Sequence, residues 1–407
     1  MRRVVVTGIG AISVFGSDRD EALQRLRERK SAVRFMPSWL EYDGLNTALG
    51  APVTDFEVPS HYTRKQLRSM GRVSQMSVAA SEQALQMAGL LGDSVLKSGR
   101  TGVSFGSSSG STDAVAEFGH MLLHKSLDGL NATSYVRMMS HTAAVNVGVF
   151  FGLTGRVIPT STACVAGSQG IGYAYEAIRY GQQDVMLAGG GEELCPTQAA
   201  VFDTLYATSR MNDEPERSPR PYDVDRDGLV LGEGACTFVL EEYEHAKARG
   251  ADIICELIGF ASNSDGVHVT RPNRDTMQQC IAEAVSSAGI SASEVGYVNG
   301  HGTATDHGDV AETHATNGVF GDAVPISSLK SYMGHSLGAC GALEAWLTIG
   351  MMEEGWFAPT LNLDNIDPAC GDLDYITGDG RVLSCDTVMS NNFAFGGINT
   401  SLIFRRV

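Results

Sequence analysis

Residues 157–180 read VIPTSTACVAGSQGIGYAYEAIRY, and this stretch predicts a strand, a tight turn and a helix in direct succession. The β-branched run at 157–162 favours a buried strand, and the apolar residues after it recur at helical spacing up to Gly181. Another short apolar strand follows at 184–188. Such an alternation of strand and helix is typical of α/β proteins, in which helices cover a largely parallel sheet.

Cys164 lies where the predicted strand ends and the predicted helix begins. The free N–H groups and the positive dipole end of a helix favour a thiolate at that position. We therefore expect the pKa of this thiol to fall from about 8.5 towards neutrality. A lone cysteine is more often an inert buried side chain, so the hypothesis of a nucleophile depends on the other motifs of the chain.

Composition narrows the class of protein. The 407 residues carry a formal net charge of −17 and 43% apolar side chains, which fits a globular enzyme and argues against nucleic acid as a partner. No apolar run reaches the length of a membrane span. The eight cysteines form no CxxC pair and no framework spacing, so we expect reduced thiols and a cytoplasmic location.

The second half of the chain repeats the pattern of the first. IPTSTACVAGSQGIG (158–172) and VPISSLKSYMGHSLGACG (324–341) both predict a strand, a turn of small residues and a glycine-containing helix. We therefore predict two similar α/β halves, 1–252 and 253–407. Sites in such proteins lie at the carboxyl ends of the strands. Three candidate site residues fall near predicted strand ends: Cys164, His301 and Lys330.

A metal site is one alternative, because acids and histidines crowd the segment 301–314. Six potential ligands lie there: His301, Asp306, His307, Asp309, Glu312 and His314. The segment lacks the H-x-x-x-H and H-E-x-x-H spacings that place two histidines on one helix face. Its acids are better suited to bracing a loop, and we predict no metal.

A serine nucleophile is a second alternative. G-H-S-L-G at 334–338 matches the nucleophile elbow of α/β-hydrolases and acyltransferases, with Ser336 as the nucleophile. In that fold an acid and then a histidine follow the serine, but no histidine follows Ser336. A serine acyltransferase therefore stays the weaker hypothesis, beside a non-catalytic partner subunit.

A basic segment stands out against the negative net charge. Arg64, Lys65, Arg68 and Arg72 lie in a region, 63–89, that we predict to form one long amphipathic helix. Taken alone, four basic residues are more often an ordinary solvated helix face. Against the net charge of −17, however, they also mark a place where an acidic partner could dock.

Together these motifs resemble those of the β-ketoacyl-acyl carrier protein synthases, most closely the elongating branch that uses one cysteine and two histidines. The resemblance runs almost end to end, and seven motifs follow the family's order: VVVTGIG, TACVAGSQGIG, AGGGEELC, YDVDRDGLVLGEG, NGHGTAT, SSLKSYMGHSLGACG and SNNFAFGGIN. It implies a thiolase-like α/β fold whose two pseudo-repeated halves form a layered α-β-α-β-α core. It also implies no cofactor, and a homodimer or a heterodimer with a synthase-like subunit.

The resemblance implies roles for individual residues and one reaction. Cys164 would accept an acyl chain from a carrier thioester, and the N–H groups of Cys164 and Phe395 would form the oxyanion hole. His301 and His335 would face malonyl-loaded carrier, and Lys330 would order them. Supporting acids and a surface for acyl carrier protein complete the set: Asp309 and Glu312, then Arg64, Lys65 and Arg68. The reaction is a decarboxylative condensation that lengthens the acyl chain by two carbons.

Three sites in the sequence depart from the pattern that the family usually shows. Ala394 stands in the gating loop where glycine is usual, and its Cβ restricts the backbone. Asp306 and His307 replace a turn led by proline. Tyr206 occupies a position in the expected acyl pocket that a small residue commonly fills, near Phe202 and Ser108. We interpret these departures as signs of a specialised acyl chain, such as a polyene or polyketide lipid.

Overall fold

The computed structural model describes all 407 residues. Its sixteen strands are β1 (Val4–Ile12), β2 (Arg34–Phe35), β3 (Leu49–Ala51), β4 (Thr101–Gly106), β5 (Val157–Thr160), β6 (Val185–Glu192), β7 (Leu231–Gly232), β8 (Gly234–Glu242), β9 (Cys255–Ser264), β10 (Tyr297–Asn299), β11 (Pro325–Ser327), β12 (Trp356–Phe357), β13 (Asp374–Tyr375), β14 (Arg381–Val382), β15 (Thr387–Ala394) and β16 (Ile398–Arg405).

Thirteen α-helices complete the regular structure. They are α1 (Arg19–Arg27), α2 (Arg64–Leu67), α3 (Arg72–Met87), α4 (Thr112–His124), α5 (Ala132–Met138), α6 (Thr142–Phe151), α7 (Ala166–Arg179), α8 (Pro196–Asp203), α9 (Tyr243–Ala248), α10 (Arg274–Ala288), α11 (Asp306–Phe320), α12 (Lys330–Met333) and α13 (Cys340–Glu354). None of them combines the length and the apolar composition that crossing a membrane would require.

The main sheet consists of two five-stranded units with the same internal order. The first unit runs β5-β4-β6-β8-β1, and the second runs β11-β10-β15-β16-β9, with β13 added at its edge. In each unit the first three strands are parallel to one another, and each of the last two is antiparallel to the strand before it. Strands β1 and β9 join the units through only two residue pairs. The boundary at 252/253 stays a prediction, and it falls in the connection between α9 and β9.

Helices lie between the two sheet units and on both outer faces. Helices α7 and α13 pack against each other and against strands of both units, and α13 is buried from Cys340 to Met352. Helices α3 and α6 cover the outer face of the first unit, and α10 covers that of the second, with α11 packed beside it. The predicted α-β-α-β-α layering and thiolase-like α/β fold are therefore confirmed.

Two local predictions were wrong for reasons of packing. The segment 63–89 forms two helices, because Gly71 takes an extended conformation between them and its missing Cβ leaves room for the side chain of Ser111. Strand β5 is not buried on both faces. It is the last strand of the sheet, and 47% of the surface of Val157 is exposed.

Candidate active site

Cys164 lies in a single 3₁₀ turn, Ala163–Val165, between β5 and α7. Ala163 has a φ of +52°, in the left-handed region that residues other than glycine rarely adopt. This sharp turn presents the sulfur to a cavity, although only 4% of Cys164 is exposed. The backbone N–H groups of Cys164 and Phe395 face the sulfur. They form a pair of donors suited to an oxyanion.

Burial raises the pKa of the Cys164 thiol to about 11. The charge of Lys330 and the two facing N–H groups lower this pKa, and the carboxylate of Glu192 raises it. The prediction of a pKa near neutrality was therefore wrong. It considered the helix end but not the loss of water around the sulfur, which penalises the thiolate more strongly than nearby dipoles stabilise it.

Two histidines converge on this thiol. His301 follows β10, and His335 follows the short helix α12. The sulfur of Cys164 and one ring nitrogen of each histidine lie within 4.8 Å of one another. The imidazole rings are perpendicular, with centroids 5.2 Å apart. Burial, together with the charge of Lys330, holds both histidine pKa values well below the ordinary value, so both rings are neutral.

Lys330 determines which nitrogen of His301 carries the proton. Its Nζ lies 3.1 Å from Nδ1 of His301 and also donates to the carboxylate of Glu344. Because an ammonium group only donates, Nδ1 acts as the acceptor and the ring proton is on Nε2. His301 is thereby a hydrogen-bond donor on its other nitrogen.

Glu344 is a site residue that the sequence analysis missed. It is fully buried on α13, where it pairs with Lys330 and accepts hydrogen bonds from Asn392 at 2.8 Å and Asn299 at 3.3 Å. One signal was present in the sequence. Glu344 is the only charged residue in the apolar run 340–352, and a buried acid in such a run needs a cation.

Asp309 and Glu312 brace the loop that carries His301. Glu312 accepts hydrogen bonds from the backbone N–H groups of His301 at 2.5 Å and Gly302 at 2.6 Å. Asp309 accepts from the N–H groups of Thr303, Ala304 and Tyr222. Burial raises the pKa of Glu312 to about 8 and that of Asp309 to about 6. Both acids therefore act on the backbone of the loop, as supporting residues would.

His335 is held differently, because neither nitrogen of its ring has a hydrogen-bond partner although the ring is buried. Its backbone is paired with the strand segment beside it, through Val230 at 2.7 Å and Gly232 at 2.9 Å. The ring thus depends on the backbone for its aim and keeps both nitrogens available to a substrate.

The cysteine and the two histidines are close enough together to ligate one metal ion. Thiolate and imidazole are also the ligands that zinc prefers. The ammonium of Lys330 contacts one of these histidines, however, and it would repel a second cation at the same place. The donor set therefore fits a nucleophile with two hydrogen-bond donors better than it fits a metal.

Comparison with known proteins assigns the family. The N-terminal domain of β-ketoacyl synthases matches residues 1–246, and the C-terminal domain matches residues 254–364. The chain belongs to the β-ketoacyl synthase family. The 3-oxoacyl-[acyl-carrier-protein] synthase 2 of Vibrio cholerae is 38% identical to this synthase, with 100% of this chain and 99% of the relative covered. Synthase 1 of Escherichia coli is 35% identical, with full coverage of both chains.

Solved structures agree with this assignment. A crystal structure of a β-ketoacyl synthase from Burkholderia phymatum is 57% identical to this synthase, with a TM-score of 0.99 and full coverage of both chains. The ishigamide ketosynthase/chain length factor is 31% identical, with a TM-score of 0.90 and coverage of 100% and 99%. This synthase is accordingly an acyltransferase.

The synthase has a cavity of about 370 Å³ that Cys164, His301 and His335 line. Phe202 and Tyr206 line it, and the ring of Phe202 lies 5.2 Å from that of Phe395. Two polar residues named in the sequence analysis are not among its lining residues. Ser108 instead donates to Glu192 at 2.5 Å, and Ser336 is almost fully buried, with no partner for its hydroxyl.

The predicted docking residues lie apart from the cavity lining, on and just after α2. Arg64, Lys65 and Arg68 are exposed and form no ion pair. Arg72 differs from them, because its guanidinium pairs with Glu233 at 2.5 Å. The basic surface that is free to bind a partner therefore consists of Arg64, Lys65 and Arg68, the residues that the resemblance implied.

Proposed function

We propose that this synthase transfers an acyl chain from acyl carrier protein to Cys164 and then extends it by two carbons with malonyl-loaded carrier. The observation that carries the proposal is the convergence of one thiol and two neutral imidazoles within 4.8 Å at one cavity. The names of the relatives, which are 3-oxoacyl-[acyl-carrier-protein] synthases, support the carrier as the substrate.

The first half-reaction forms a thioester on Cys164. The sulfur attacks the carbonyl carbon of the acyl-carrier thioester, a new C–S bond forms, and the carrier thiol leaves with the proton that Cys164 gives up. The tetrahedral oxyanion lies between the N–H groups of Cys164 and Phe395. Each such donor stabilises the transition state by about 3–4 kcal/mol. The high pKa of the thiol means that its proton is lost only as the C–S bond forms, and the proton passes to the departing sulfur of the carrier.

The second half-reaction breaks the bond between the malonyl carboxylate and its α-carbon. CO₂ leaves, and negative charge grows on the thioester oxygen of the malonyl group. His301 donates to that oxygen from Nε2, the nitrogen that Lys330 leaves protonated, and His335 donates as a second neutral imidazole. Neutral donors stabilise the enolate without protonating it. The carbanion then attacks the acyl-Cys164 carbonyl, and the sulfur leaves as the C–C bond forms.

Mass spectrometry of the intact protein tests the nucleophile. After incubation with acyl-loaded carrier we expect one acyl adduct on the wild type and on Ser336→Ala, and none on Cys164→Ala. An adduct that persists in Cys164→Ala would favour the serine acyltransferase. A wild type without any adduct would favour a non-catalytic subunit.

The two histidines are tested by CO₂ release from malonyl-loaded carrier. His301→Ala and His335→Ala should still acquire the acyl group on Cys164, because the oxyanion hole is intact. They should lose CO₂ release, because the enolate then lacks one donor. Wild-type rates of CO₂ release in both variants would remove these assignments.

Partners follow from the surface. Arg64, Lys65 and Arg68 offer an acidic carrier protein three unpaired cations. The exposed edge strand β5 and the exposed apolar residues Leu122 and Leu123 of α4 support a dimer, with a second copy or with a synthase-like subunit. A solved ketosynthase complex with its carrier protein, 33% identical to this chain, supports acyl carrier protein as a partner.

All eight cysteines are unpaired, which supports a reducing, cytoplasmic location. We also propose that the reaction needs no cofactor.

A further inference from the structure

The two halves of the synthase share a feature beyond their strand order. Each has a 3₁₀ turn directly before its central helix, Ala163–Val165 before α7 and Leu337–Ala339 before α13. Both turns begin at a residue with positive φ, +52° at Ala163 and +43° at Leu337. The second turn therefore repeats the nucleophile turn, with Gly338 in the place of Cys164.

The second turn also has a pair of backbone donors. At the first turn, the N–H groups of Cys164 and Phe395 face the sulfur. At the second, the N–H groups of Gly338 and Ser108 both donate to one carboxylate oxygen of Glu192, at 3.1 and 2.7 Å. A side chain of the protein thus occupies the place that corresponds to the oxyanion hole.

Glu192 is the most heavily hydrogen-bonded buried acid near the site. It lies at the end of β6 and is fully buried, and no cation pairs with it. Its other donors are three consecutive serine hydroxyls and one side-chain amide: Ser107 at 3.1 Å, Ser108 at 2.5 Å, Ser109 at 3.3 Å and Gln198 at 3.3 Å. Neutral dipoles alone satisfy this carboxylate, so moving it would leave several buried donors without a partner.

The link to the chemistry runs through His335. Its ring has no hydrogen bond of its own, and its backbone is anchored at 230–232 on one side. On the other side the chain reaches Gly338 within three residues, and there Glu192 holds the N–H group. Gly338 also has no room for a side chain, because a Cβ would lie 2.8 Å from the Glu192 carboxylate.

We propose that Glu192 is a positioning residue that aims His335 at the malonyl thioester by holding the N–H group of Gly338. This rests on the proposed function, because His335 acts in the decarboxylation step. Glu192 makes no hydrogen bond to Cys164, Phe395 or His301, so we expect acylation to be independent of this role.

The test separates the two half-reactions in full-length protein. Glu192→Leu removes both carboxylate oxygens, so the N–H groups of Gly338 and Ser108 lose their acceptor. We expect kcat for CO₂ release from malonyl-loaded carrier to fall about 10- to 100-fold, as for a group displaced by about 1 Å. The KM for that carrier and the rate of Cys164 acylation should not worsen.

Glu193→Leu is the matched control. Glu193 is the next residue, is also largely buried, and accepts from Thr112 at the start of α4 instead of from the turn. The same chemical change there should leave both half-reactions unchanged. If Glu192→Leu does not fold, Gly338→Ala displaces the same turn from the other side and should give the same selective loss.

Two results would overturn the positioning role. One is CO₂ release at the wild-type rate in Glu192→Leu or Gly338→Ala. The other is an equal loss of acylation and CO₂ release, which would show a general structural role. Failure of the wild type itself to acylate or to release CO₂ would instead overturn the proposed function.

Discussion

The reactivity of Cys164 should increase with pH well above neutrality. Burial raises the pKa of this thiol to about 11, whereas an exposed cysteine has a value of about 8.5. At pH 7.5 this difference lowers the thiolate fraction by about 300-fold. The dipole of α7 stabilises a thiolate by at most about 2 kcal/mol, which still leaves the fraction about 10-fold below that of an exposed cysteine.

Alkylation by iodoacetamide measures this reactivity, because the thiolate is the reacting species. The rate of mass gain, corrected with Cys164→Ala for the other cysteines, should rise about tenfold per pH unit from pH 6 to 9 without a plateau. Lys330→Met should slow the reaction at every pH, because the lysine charge lowers the thiol pKa. A plateau at or below pH 7.5 would refute the reasoning and show that the helix end outweighs burial.

Three further perturbations have defined outcomes. In melting experiments, Lys330→Met should lower the thermal midpoint, because it leaves Glu344 buried without its cation at a cost of about 3–5 kcal/mol. The double variant Lys330→Met/Glu344→Gln should recover part of that loss. Gly10→Ala should also lower the midpoint, at a cost of about 1–3 kcal/mol or more, because its Cβ would collide with the α3 backbone, whereas the Cβ in Gly119→Ala meets no such atom. Arg64→Glu/Lys65→Glu should weaken carrier binding more at low salt than at high salt, as titration calorimetry would report, and unchanged affinity at low salt would remove the docking proposal.

Local patterns in the chain were sufficient for the α/β class and for placing Cys164, His301 and Lys330 near strand ends, whereas the role of His335 came from the family resemblance. Strand, turn and helix signals around Cys164 and again around His335 involve residues within about twenty positions of each other, and the structure has those elements there. The repeated pattern likewise anticipated two similar α/β halves, and the family resemblance supplied their layered arrangement. Local propensity failed at 63–89, where the side chain of Ser111, forty positions away, lies against Gly71.

The sequence by itself determined the elements, their order and the identity of the groups that reach the cavity. Only the tertiary structure decided their chemical state. Lys330 contacts His301, Glu192 accepts from Gly338, and Cys164 loses its water because segments far apart in the chain pack together. A pKa or a tautomer depends on solvent exclusion and on partners brought close by folding, and neither quantity is written in the neighbouring residues.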